Sequence, residues 1–129
     1  MSHPDPEAAI AAFVDAFNAE DLDALESVIS PTVEIQTRRG LARGRAEARA
    51  WATRTPSGEL HQRLVLEGVR ADGHPPVALI HRQWFWERDR KVALEEELGV
   101  LVTLDRDGRI AHWQPFADRD EALRAAGIG

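Results

Sequence analysis

Apolar residues along the chain switch once from helical spacing to alternation, and the switch divides it into two kinds of segment. Ile10, Phe13, Val14 and Phe17 recur on one helical face. Ahead of them Asp5 suits a cap, Pro6 the first helical position and Glu7 the positive end of the helix dipole. Residues 18–21 interrupt this stripe, and Asp21 opens a second short helix carrying Leu22, Leu25 and Val28. Ser30-Pro31 closes it, because the residue before a proline is pushed out of the helical region. Residues 33–37 alternate as a short strand, and 38–43 form a basic, glycine-containing loop. Residues 44–54 predict an alanine-rich third helix bearing Trp51, stopped by Thr55-Pro-Ser-Gly58.

Alternation takes over from residue 61. It predicts strands over 61–71, 77–87, 92–104 and 109–117, with turns at Asp72-Gly-His-Pro-Pro76, at 87–91 and at Asp105-Arg-Asp-Gly108. A last helix starts at Asp118, with Glu121 completing a capping box and Gly127 at the C-terminal cap. Consecutive strands joined by short turns mean an antiparallel sheet with helices gathered on one face. The expectation is one α+β domain over residues 1–129.

Composition narrows this further. The 129 residues, 43% of them apolar, can bury a core without a metal or disulfide staple. Absence of cysteine excludes disulfides, thiolate metal sites and thiol nucleophiles. Absence of tyrosine removes phenolic acids and oxyanion donors. Sixteen basic against 22 acidic residues leave a net charge of −6, which argues against nucleic acid or an anionic membrane as partner. No stretch approaches the roughly 18 apolar residues that span a bilayer. The acidic start, Ser-His-Pro-Asp-Pro-Glu, is unlike a signal peptide, so a cytoplasmic location is expected.

Two stretches carry a family resemblance. Phe13-Val-Asp-Ala-Phe-Asn-Ala-Glu-Asp-Leu-Asp-Ala-Leu25 resembles the first two helices of SnoaL-like proteins, within the nuclear-transport-factor-2-like superfamily. Leu104-Asp-Arg-Asp-Gly-Arg-Ile-Ala-His-Trp113, followed by Asp118-Arg-Asp-Glu-Ala-Leu-Arg-Ala-Ala-Gly127, resembles the closing pattern of such domains. The resemblance implies a curved antiparallel sheet wrapped around the N-terminal helices, a cone open at one end to an apolar pocket. It implies no particular reaction, because members include isomerases, cyclases, dehydratases, epoxide hydrolases and non-catalytic binders.

Strand parity selects the side chains that face the cone. A turn at 87–91 pairs Trp84 with Leu94, Arg82 with Glu96, Ile80 with Leu98 and Ala78 with Val100; the next turn places Val100 opposite Trp113. The inner face then holds Ala78, Ile80, Trp84, Trp86, Leu94, Leu98, Val100, Val102, Leu104 and Trp113. Two charges break its apolar parity, Arg82 and Glu96, and they face each other. A buried charge needs a partner of opposite sign. The pair either orients a polar group of a ligand or is a structural ion pair at the cone mouth.

By the resemblance, Phe13, Trp51, Trp84 and Trp113 fall at pocket-lining positions, and Phe17, Ile35 and Val100 join them as expected ligand contacts. They make either a slot for a ring-bearing molecule or a core packed solid by its own indoles. The steroid-isomerase branch requires an aspartate base, a tyrosine and a protonated acid; Ile35, Phe13 and Val100 stand there instead. The epoxide-hydrolase branch requires an arginine and two aspartates, where only Arg82 and Glu96 converge. His61 is the histidine expected to reach the cone mouth. The scattered histidines suggest no metal site, and no cofactor is expected. Arg38, Arg39 and Arg43 are either anion contacts or solvated loop residues.

The sequence therefore points to a SnoaL-like pocket protein of unassigned activity that binds a small hydrophobic or ring-bearing molecule. The alternative is a cofactor-independent cyclase, dehydratase or isomerase using Glu96 with Arg82 as acid–base pair. Leu79, Phe85, Leu101 and Phe116 among polar residues on the outer sheet face suggest a homodimer interface, which the resemblance also implies.

Overall fold

The computed structural model of the chain describes residues 5–37, 40–53 and 60–128. Its elements are α1 (Pro6–Asn18), α2 (Leu22–Val28), β1 (Ile29–Thr37), β2 (Gly40–Arg43), α3 (Gly44–Thr53), β3 (Leu60–Arg70), β4 (Val77–Trp86), β5 (Val92–Leu104), β6 (Ile110–Phe116) and α4 (Arg119–Ala125). The helices start where the caps predict. The Asp5 carboxylate accepts from Glu7 N–H at 3.0 Å, and that of Asp21 from Ala24 N–H at 3.1 Å. At α4 the Asp118 carboxylate takes Asp120 N–H at 2.9 Å. Gly127, at φ 77°, ends that helix as Gly127 and Ile128 N–H return to Arg124 and Leu123 carbonyls at 3.0 and 2.8 Å. The proposed stop at Thr55-Pro-Ser-Gly58 lies outside the described residues.

Six strands form one sheet in the order β2-β1-β6-β5-β4-β3. Two features depart from the sequence reading. Residues 40–43, expected as loop, pair antiparallel with β1, from Thr37 with Gly40 to Glu34 with Arg43. Gly40 at φ 119° supplies a backbone conformation that other residues rarely adopt at that reversal. β1 also lies parallel to β6, so the sheet is not wholly antiparallel. The long chain between these strands permits it, since parallel neighbours cannot be joined by a hairpin. β1 starts at Ile29 and runs through Pro31, which is tolerated because the ladder to β6 is irregular between Ile29 and Glu34.

The β4–β5 register is as the parity argument required: Arg82 opposite Glu96, Ile80 opposite Leu98, Trp84 opposite Leu94. On β5–β6 the register is shifted, with Val102 opposite Trp113 and Val100 opposite Pro115. A bulge between Thr103 and Leu104 and the Asp105 turn account for the displacement. A two-residue shift leaves every side chain on its original face.

Each face of the sheet has its own core. Ala78, Ile80, Leu98, Val100, Val102, Ile110 and Trp113 pack on the inner face with Ile10, Phe13, Val14 and Phe17 of α1. On the other face Val77 and Leu101, with Leu79 and Phe116, pack under Ala122 and Ala126 of α4 and the following Ile128. Helices are thus not gathered on one side. α4 also covers three of the four apolar residues that suggested a dimer surface. At the β4–β5 tip the inner face lacks such cover; Leu94 is 51% exposed, and Trp86 is half-buried beneath the Arg88 guanidinium. The outer face there is polar. Gln83 and His81 side chains meet the Glu95 carboxylate at 3.0 and 3.1 Å, which holds its pKa below the usual range, Gln83 contributing most.

Two further contacts tie the layers together. β3 is an edge strand, and the Asn18 side-chain amide occupies that edge. It donates to Leu64 carbonyl at 2.7 Å and accepts from Leu64 N–H at 2.9 Å, as a neighbouring strand would. Across the sheet, α4 reaches the backbone so closely at Gly99 that a Cβ there would lie 2.7 Å from Ala122 Cβ and 3.2 Å from Arg119 Cα. Gly99→Val should therefore lower stability to urea by about 1–3 kcal/mol through overpacking. Unchanged stability would mean that α4 is not held against the sheet.

Candidate functional site

A cavity of about 550 Å³ opens between the inner face of the sheet, the β1–β2 hairpin and α3. Trp51 of α3, Trp84 of β4, Val100 of β5 and Trp113 of β6 line it, together with Arg82 and Glu96. Parity and pairing bring the strand residues to one wall, and α3 brings Trp51 from the other side.

Phe13, Phe17 and Ile35 do not line it. All three are buried behind the wall, Phe13 and Ile35 fully. The Phe13 ring lies 4.3 Å from that of Trp113, and the Phe17 ring 5.5 Å from that of Trp51. α1 packs directly on the sheet, so its apolar stripe is spent on the core and supports the indoles from the rear. The indoles are consequently not packed into a solid plug; they are wall on one side and core on the other.

The charged pair sits in this wall. Glu96 Oε1 accepts from Arg82 Nε at 3.0 Å, from Arg82 Nη2 at 2.7 Å and from Trp84 Nε1 at 2.8 Å. Trp84 reaches Glu96 because it stands one step diagonally from it across the β4–β5 ladder. The guanidinium carbon of Arg82 also lies 5.2 Å from the centroid of that indole. Side-chain exposures of 17% for Arg82 and 21% for Glu96 place the pair between buried and solvated. Three donors on one carboxylate oxygen form a network that fixes all three side chains relative to one another.

Polar residues that parity alone had not selected complete the lining. Gln62 on β3 lies opposite Trp84, while Gln36, Thr37 and Glu47 come from the far side, at the β1–β2 hairpin and α3. Gln62 was within reach of sequence reasoning, since it shares the parity of Leu64; Glu47 was not, because the angle of α3 is a tertiary property. His61 is placed differently from the expectation. It pairs with Phe85 on the opposite parity, stacks on that ring at 5.7 Å and meets the carboxylates of Glu20 and Glu87, outside the cavity lining. Arg43 extends toward Glu34 at 3.4 Å and does not line the cavity; Arg38 and Arg39 lie outside the described residues. Among the described residues no three His, Asp or Glu side chains are gathered as a metal site would require.

A family model described as the SnoaL-like domain matches residues 10–113. The chain belongs to the SnoaL-like domain family. Solved structures show the same nuclear-transport-factor-2-like fold at low sequence identity. The Δ5-3-ketosteroid isomerase of a Mycobacterium species is 14% identical, with a TM-score of 0.71 over 92% of this chain and 96% of that one. An LEH-like epoxide hydrolase of Mycobacterium tuberculosis is 18% identical, with a TM-score of 0.70 over 94% and 84%. A computationally designed 17-OHP binder is 11% identical, with a TM-score of 0.72 over 92% and 96%. No curated protein matches the chain. At these identities the likeness establishes the fold and leaves the chemistry to the residues in the wall.

Partial burial gives the pair a measurable signature. Breaking exposed pairs costs below about 1 kcal/mol and buried ones about 3–5 kcal/mol, so Arg82→Met should cost about 2 kcal/mol in urea unfolding. A cost near zero would make the pair a solvated surface contact.

Proposed function

We propose that this SnoaL-like domain binds a small hydrophobic, ring-bearing molecule in the cavity, and that the Arg82–Glu96–Trp84 network orients a polar group of it. The observation that carries this reading is a cavity of about 550 Å³ flanked by three indoles with a hydrogen-bonded ion pair in its wall. That volume falls within the range of small-molecule sites, roughly 300–1,000 Å³. Flat aromatic walls match flat apolar ligands, and a few fixed polar groups decide how they lie. Phe13, Phe17 and Ile35 contribute by holding the walls rather than by touching the ligand.

A second reading is a cofactor-independent cyclase, dehydratase or isomerase in which Glu96 with Arg82 transfers a proton. Its support is that both residues line the cavity and that structural neighbours include an isomerase and an epoxide hydrolase. Binding is favoured because Glu96 Oε1 already accepts three N–H groups, an arrangement suited to holding a carboxylate in place. The residues standing where the steroid isomerase pattern needs its acid, base and phenol, Val100, Ile35 and Phe13, are all fully buried hydrocarbons.

A naphthalene-based probe should alter tryptophan emission on titration, and Trp51→Leu should weaken it by about tenfold, the scale of one aromatic contact. No response to any ring-bearing probe would overturn the reading. A cytoplasmic setting and a homodimer through the outer sheet face belong to the same proposal. With α4 over Leu101 and Phe116, the dimer would rest on Val65, 41% exposed, Phe85 and the polar residues around them. Light scattering at micromolar concentration should give twice the chain mass; the mass of one chain would refute the dimer.

A further inference from the structure

A second, smaller cleft of about 250 Å³ lies on the outer face of the sheet, across β5, β6 and β1. Strand pairing sets four polar side chains in one transverse row there. Thr103 of β5 lies opposite His112 of β6, His112 pairs with Glu34 of β1, and Glu34 lies opposite Arg43 of β2. His112 Nε2 meets Glu34 Oε1 at 2.8 Å, and Glu34 Oε2 lies 3.4 Å from Arg43 Nε. Thr103, His112, Glu34 and Gln114 line the cleft together with Leu41, Leu101 and Pro75. The row is on the opposite face from Arg82 and Glu96, and on the other side of β5 from Phe85 of β4 and Val65 of β3.

An ionised carboxylate can only accept, so the hydrogen of the His112–Glu34 contact is carried by Nε2. In the uncharged ring Nδ1 then keeps its lone pair, and it has no partner among the described residues. Glu34 fixes the tautomer, and its charge balances that of the imidazolium formed when Nδ1 takes a proton. Arg43 restrains the same carboxylate from its other oxygen. This is a base with its orienting acid, the pairing that hydrolytic sites use. Thr103 stands across the ladder from His112 and Gln114 two residues along β6, and the side chains of both lack partners among the described residues. Leu41, Leu101 and Pro75 give the cleft apolar ends, with room for a short acyl chain.

The geometry points to a second activity, hydrolysis of a short-chain acyl ester in this outer cleft with His112 as general base. Nδ1 takes a proton from water as the water oxygen bonds to the ester carbonyl carbon. The former carbonyl oxygen, now negative, accepts from the Thr103 hydroxyl and the Gln114 amide. The C=O bond then re-forms, the bond to the alkoxy oxygen breaks, and Nδ1–H returns the proton to that leaving oxygen. One ester and one water give one acid and one alcohol. Glu34 is a positioning residue, since it acts through the ring. His81 offers an internal contrast: its Nε2 also meets a carboxylate, that of Glu95 at 3.1 Å, but it lines neither of the two cavities.

Steady hydrolysis of p-nitrophenyl acetate at mildly alkaline pH tests this, followed well beyond one product per chain so that a single acylation of surface amines is not counted. The folded protein should exceed the urea-unfolded chain by about a hundredfold, the low end of general-base catalysis. His112 is 54% exposed, so His112→Gln leaves the core intact; its rate should fall to that of the unfolded chain. His81→Gln should stay within about twofold of wild type. Glu34→Gln keeps an acceptor for Nε2–H but loses the charge, and should lower kcat about tenfold with KM within about twofold. A folded protein no faster than the unfolded chain overturns the inference, as does His112→Gln at the wild-type rate. Equal losses in His112→Gln and His81→Gln also overturn it, because any exposed imidazole would then serve. Full kcat in Glu34→Gln overturns the paired mechanism.

Discussion

Side chains alternate across a strand, so the pairing of β4 with β5 decides in one step which residues face the helices and which face away. With Arg82 opposite Glu96, Ile80 and Leu98 enter the inner core beside Ala78 and Val100. The same register sends Leu79 and Leu101 to the opposite side, where α4 needs an apolar surface. A slip of one residue would turn Glu95 and Glu97 to the inner face and send Leu98 and Val100 away from it. Core, site and α4 packing all depend on this single alignment.

Covering both faces of a sheet asks for two different solutions. On the inner face long side chains fill the space beneath α1, and the region it leaves uncovered becomes the cavity. On the outer face α4 is a short helix with small residues, Ala122 and Ala126, and it approaches close enough that the strand beneath needs Gly99. The cavity is thus the part of the inner face that α1 does not fill. Its tryptophans join the two regions, with Trp113 packed on Phe13 behind and lining open space in front.

Polar chemistry in this fold is concentrated rather than spread. Trp84, Arg82 and Glu96 come from two adjacent strands, and each restrains the others through one carboxylate oxygen. Such a cluster holds its three side chains in one fixed arrangement. Structural relatives that isomerise, open epoxides or simply bind share the fold at 11–18% identity. In this chain the cavity wall carries an ion pair, and Phe13, Ile35 and Val100 are buried hydrocarbon side chains.

Much of this was legible along the chain because its signals are local or periodic. Caps at Asp5, Asp21 and Asp118 located helix starts, and alternation with turn residues located β3 to β6 and paired Arg82 with Glu96. The signals failed where position depends on something distant in sequence. β2 and the parallel alignment of β1 with β6 join segments that no local pattern connects. The place of α4 also escaped, since Leu79, Leu101 and Phe116 look the same on a strand whether a helix or a second protomer covers them. Phe13 and Trp113 show the division most plainly. Hydrophobicity alone put both inside, by the cost of leaving them in water; only the packing of α1 on the sheet decided that Phe13 is core and Trp113 is wall, because that depends on how closely two elements approach.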